Sequence, residues 1–182
     1  MLKSRCVPVF SHSVWVAVLG LGACAELPPH AIIPDAIAAP AGQVIALQAM
    51  GAGVQIYECK KSSDDPARFQ WVLKAPEAEL YDAGGSKIAR HYAGPTWEAA
   101  DGSKVLGEVK AQFTSLDPNA MPWLLLSAKS NTGKGVFAQT VSIQRINTKG
   151  GKAPTTECNQ MLSGKLSRVP YTATYNFYNA KP

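Results

Sequence analysis

The chain has 182 residues, with 46% hydrophobic and 17% charged residues and a formal charge of +5. That length favours one domain over two, and the composition excludes a disordered chain, which lacks the apolar residues needed to form a core. Fifteen Gly and 13 Pro against 5 Phe and 4 Met argue for many turns between short segments, which fits strands better than a helical bundle.

The first element is an export signal. Lys3 and Arg5 precede an uncharged apolar run, residues 14–23, that ends in small residues, the pattern of a signal peptide. This run is about half the ~20 residues a spanning helix needs. Its end, Leu21-Gly22-Ala23-Cys24, is similar to a bacterial lipobox, in which cleavage leaves the cysteine as the lipidated first residue. Residues 1–23 are therefore expected to be a lipoprotein-type signal and Cys24 the lipidation site. With Ala25 behind it, the expected address is the periplasmic face of the outer membrane. Ordinary secretion with cleavage near Ala23 or Ala25 is the alternative. Residues 24–40 contain Pro28, Pro29, Pro34 and Pro40 and read as a semi-extended tether, leaving a single β domain over 41–182.

Loss of Lys3 and Arg5 lowers the formal charge from +5 to +3, and Lys60-Lys61 is the only adjacent basic pair that remains. No clustered stripe for a nucleic-acid backbone is present, so no nucleic-acid partner is expected. Of the four cysteines, Cys6 falls in the signal and Cys24 at its end. Cys59 and Cys158 are left, and in an oxidising compartment they are expected to form one disulfide, closing a loop of roughly 100 residues and stabilising by about 2–5 kcal/mol. A nucleophilic or metal-bound thiol is the alternative, but there is no Cys-x-x-Cys and no His near either cysteine.

Within the domain, residues 43–48 and 54–59 alternate as strands, and Gly51 and Gly53 between them predict a hairpin. In the second of these, Gln55, Tyr57 and Cys59 share one face. Residues 69–74, 79–81 and 87–92 follow as strands, the last ending at Gly94-Pro95. Residues 96–99 and 104–109 flank Asp101-Gly102, a strong hairpin signal because the turn needs positive φ. Residues 121–126 form an apolar run whose Pro122 favours strand entry. Residues 136–146 alternate in part, with Val141, Ile143 and Arg145 on one face. Residues 148–151 read as a loop, residues 157–162 as a single helical turn beside Cys158, and residues 169–178 as a final aromatic-rich strand. The fold expected is all-β, an antiparallel barrel or a two-sheet sandwich of about eight strands.

The string His91-Tyr92-Ala93-Gly94-Pro95-Thr96-Trp97-Glu98, then Asp101-Gly102-Ser103, resembles the bacterial and fungal family catalogued as domain of unknown function 3455. The likeness extends through residues 54–59, Trp71, residues 122–126 and 144–151, Pro154, Cys158 and residues 169–175, and so covers nearly all the mature chain. It implies an exported protein and carries over no activity and no site residue.

Candidate ligand-binding residues are His91, Tyr92, Trp97, Glu98 and Asp101. His91 is the only histidine of the folded domain, the side chain that titrates near neutrality, and Glu98 and Asp101 lie close enough in sequence to serve with it as base or ligand. The competing reading is a histidine bonded to backbone at a Gly-Pro corner beside a solvated Glu98. Trp97 and Tyr92 flank that corner, and aromatic faces beside polar groups suit sugars; Trp71 and Trp123 read as core. No Gly-x-Ser-x-Gly, His-Glu-x-x-His or phosphate loop is present, and no cofactor or metal is implied.

The function expected is that of an envelope lipoprotein whose non-catalytic β domain binds a small ligand, a glycan or an envelope protein. One alternative is a hydrolase or metal-dependent enzyme centred on His91, Glu98 and Asp101, which requires those side chains to converge. Another is a periplasmic inhibitor of a wall hydrolase, since Tyr57-Glu58-Cys59 is loosely similar to the opening strand of small lipoprotein lysozyme inhibitors.

Overall fold

The computed structural model describes residues 32–182, so the signal, Cys24 and the first part of the tether, up to residue 31, lie outside the described residues. Its eight strands are β1 (Gln43–Lys61), β2 (Phe69–Tyr81), β3 (Lys87–Tyr92), β4 (Thr96–Ala99), β5 (Lys104–Phe113), β6 (Trp123–Thr132), β7 (Thr140–Gly150) and β8 (Leu166–Ala180). Each runs antiparallel to the next, and β8 pairs back onto β1 to close a barrel. Closure decides between the two expected architectures: a ring leaves no row of unpaired backbone groups at an edge.

The expected hairpin at Gly51 and Gly53 does not exist, because β1 runs straight through both glycines. A Cβ on Gly51 would come within 2.5 Å of the Tyr175 ring, and one on Gly53 within 2.2 Å of the Glu77 carbonyl. Glycine here permits close approach of neighbouring strands rather than a reversal. Gly107 on β5 does the same for Trp97, whose ring lies 2.9 Å from where a Cβ would stand. Residues 69–74 and 79–81 likewise belong to one strand, and β7 continues to Gly150 through the stretch expected as a loop.

The Asp101-Gly102 turn forms as expected, with Gly102 at φ 81° and β4 paired to β5. The disulfide Cys59–Cys158 is present, with a Cα separation of 5.6 Å. It ties the end of β1 to the segment before β8. Beside it, Asn159 caps the short turn Gln160–Leu162 by accepting from the Met161 and Leu162 amides.

Alternation sorts the core. Leu80, Trp97, Val105, Leu126, Phe137, Ile143, Tyr175 and Phe177 pack in the principal cluster. Trp123 is core as expected, but belongs to a second cluster with Ile37 and Ile146, backed by Phe113 and Leu125. The described end of the expected tether is therefore docked: Ile37 is fully buried. Gln144 secures it, donating from Nε2 to the Ile37 carbonyl at 2.8 Å while its Oε1 accepts from Asn176 and Tyr178. Burial of Ile37, with Ile33 packed beside it, and one satisfied polar network hold this segment down despite the extended tendency of Pro34 and Pro40.

Candidate functional site

The register of β3 and β4 pairs His91 with Trp97 and Arg90 with Glu98. Because successive side chains point to opposite sides of a strand, His91 and Trp97 face the barrel interior, while Arg90, Tyr92 and Glu98 face out. The five expected site residues thus fall in three places and do not converge.

Inside, the His91 and Trp97 rings stack at 4.2 Å and 7°, with Tyr175 edge-on to both at 5.5 and 5.7 Å. His91 Nδ1 lies 2.9 Å from the Thr96 carbonyl, an acceptor, so Nδ1 carries the proton and Nε2 presents a lone pair. Burial drives the His91 pKa down to about 3, the Arg145 charge adds to the drop, and the Thr96 bond opposes it. The imidazole is neutral near pH 7 and poorly matched to general-base work there.

Outside, Glu98 accepts from the Tyr92 hydroxyl and from Arg90, each at 2.8 Å, with Lys104 at 3.6 Å. The Tyr92 hydrogen bond, then Arg90, holds its carboxyl below the usual range. These residues line an outer groove of about 770 Å³. The other charges of that groove are paired too: Arg168 with Glu77 at 2.6 Å, and Lys87 with Glu79, which also accepts from Tyr81. Asp101 lies apart from both surfaces. Its carboxylate clamps the β4–β5 turn, accepting from the Ser103 amide and hydroxyl and from the Val136 amide, at 2.8, 2.6 and 2.9 Å.

The barrel interior opens into a second cavity, of about 250 Å³, walled by Gln55, His91, Trp97, Arg145 and Tyr175 and edged by Leu73, Pro76, Pro95 and Val109. Three of its buried polar atoms have no partner among the described residues: Gln55 Oε1, Trp97 Nε1 and Arg145 Nε. Gln55 is 2% exposed and its Nε2 meets only the Met121 sulfur, so whichever way the amide is turned one end lacks a partner. Buried polar groups are satisfied in the great majority of cases, and three of the seven exceptions among the described residues lie around this one cavity. Gln55 and Arg145 did not enter the sequence-based set. Their signal was a polar side chain on a face otherwise made for burial: Gln55 with Tyr57 and Cys59, Arg145 with Ile143.

Among the described residues no three His, Cys, Asp or Glu side chains gather to hold a metal ion. A family model described as "Protein of unknown function (DUF3455)" matches residues 40–179, and the chain belongs to that family. No curated protein matches the chain.

Proposed function

For this member of the DUF3455 family we propose the role of an exported envelope lipoprotein that binds a small ligand, without catalysis, inside its barrel. The observation that carries the reading is the interior cavity with three unpartnered buried polar groups on its wall. An apolar chamber with a few convergent polar groups is the usual form of a small-molecule site. A neutral His91 and a fully engaged Glu98 favour binding over proton transfer. The signal and lipobox read from residues 3–24 and the disulfide fit an oxidising, extracytoplasmic compartment.

The test is a thermal-shift screen of the exported protein against small neutral, anionic and cationic amphiphiles. A ligand of this site raises the midpoint with concentration. Val109→Trp, placed at the half-exposed rim, plugs the entrance and abolishes that rise. No shift with any compound, or an equal shift in Val109→Trp, overturns the reading. Anchoring is checked separately: Cys24→Ala moves the protein from the membrane fraction to the soluble fraction, and unchanged partitioning removes the lipid from the proposal.

A further inference from the structure

The interior cavity is lined by two cationic side chains, Arg145 and Lys74, and no anionic one, and Lys74 is paired with Glu58. Arg145 stands on β7 level with Leu124 of β6 and Tyr175 of β8, both of which line the cavity. It shares a strand face with the core residue Ile143, so its half-buried side chain runs from the interior wall to an exposed bond at the Pro122 carbonyl. A guanidinium has five N–H donors. Here Nη2 donates to the Pro122 carbonyl at 2.9 Å, and Nε is buried without a partner among the described residues. None of the cavity's lining residues is Asp or Glu, and the six ion pairs of the described residues do not include Arg145.

A cation drawn out of water costs free energy unless hydrogen bonds or an opposite charge offset the loss. The group that best fits a guanidinium edge is a carboxylate, whose two oxygens accept two parallel N–H bonds. The outer groove shows how this chain treats arginine elsewhere: Arg90 donates from both Nε and Nη2 to Glu98. Arg145 keeps one unpartnered donor, Nε, beside an Nη2 held by the Pro122 carbonyl and a hydrogen bond to Tyr175, and has no carboxylate partner of its own.

Resting on the reading of this cavity as a ligand site, we infer that its ligand is a small monocarboxylate with an apolar body. Its carboxylate accepts from Arg145, and its body packs against the Trp97 ring and the Leu73, Pro76, Pro95 and Val109 rim. Gln55 and Trp97 add one neutral polar contact each to a hydroxyl or carbonyl on that body. A volume of about 250 Å³ falls below the ~300–1,000 Å³ of drug-sized sites, so the acid is short. Amines are disfavoured by Arg145 and by Lys74, which also borders the cavity.

Calorimetric titration of the exported protein with hexanoate, hexanol and hexylamine at pH 7 tests this. Hexanoate is expected to bind at least about tenfold tighter than either of the others, the scale of one hydrogen bond between charged groups. Arg145→Gln is expected to remove that preference and leave hexanol unchanged; should Arg145→Gln fail to fold, the wild-type ranking of the three probes still decides. Equal binding of all three overturns the carboxylate and leaves the ligand cavity standing. Binding of none of them also overturns it, the cavity then holding water, and the broader reading is judged by whether any other compound gives a shift that Val109→Trp abolishes.

Discussion

The two sides of β3 and β4 offer similar chemistry in opposite states. Outward, Arg90, Tyr92, Glu98 and Lys104 satisfy one another. Inward, one residue along in each strand, His91 and Trp97 line a chamber whose polar atoms are left open. The side richer in charge is the one whose polar groups are satisfied, and the more apolar side is where hydrogen-bonding capacity goes unmet. Density of ionisable residues thus does not mark where this barrel leaves polar groups unpaired.

Substitutions at adjacent positions separate the two sides. Trp97→Ala removes the largest fully buried side chain and is expected to destabilise by about 3–5 kcal/mol in denaturant unfolding. A loss within that of a surface substitution would mean the interior is not packed as described. Next in size is a pH effect from His91. Its folded pKa of about 3 lies below the 6.5 of the unfolded chain, so the unfolded state binds the proton that the folded state refuses. Stability is full above pH 6.5, falls as the pH drops, and levels off below about 3. At pH 5 the loss is about 2 kcal/mol. The upper part of this window, between pH 5 and 6.5, lies above the range in which Glu79, Glu98, Asp101 and Glu108 titrate, since their carboxyls are all held lower than usual. His91→Gln flattens the slope between pH 5 and 6.5, and an unchanged slope assigns it to another group. The smallest effect is Glu98→Gln, which dissolves an exposed ion-pair cluster of the kind that contributes little and is screened by salt. Its midpoint change shrinks further at high salt; a large, salt-independent loss would make the outer groove more than a solvated surface.

Local chemistry was legible in the sequence. The Asp101-Gly102 turn is written in two adjacent residues, and the Cys59–Cys158 bond in what remains after the signal is set aside. The Gly51 and Gly53 positions were not, because the reason for those glycines is Tyr175 and β2, far away along the chain. Barrel and sandwich share the same strands, and only the β1–β8 register tells them apart. Adjacency in sequence grouped His91 and Trp97 with Tyr92, Glu98 and Asp101, which alternation and the turn place elsewhere. Arg145 shares a face with Ile143 in the sequence pattern, but which face of that strand turns inward is set by its pairing with β6 and β8 and not by anything local. The docking of Ile37 was hidden for the same reason: its partner Gln144 lies 107 residues on.

The pairing of β1 with β8 also sets an order of events. The first strand of the domain has one neighbour soon after it is made, but its other neighbour comprises almost the last residues of the polypeptide, with Gln43 opposite Ala180. The ring cannot close until the C-terminus has arrived. Contacts this distant in sequence form slowly, so a barrel completed by its last strand stays open, with β1 unpaired on one side, until that strand is in place.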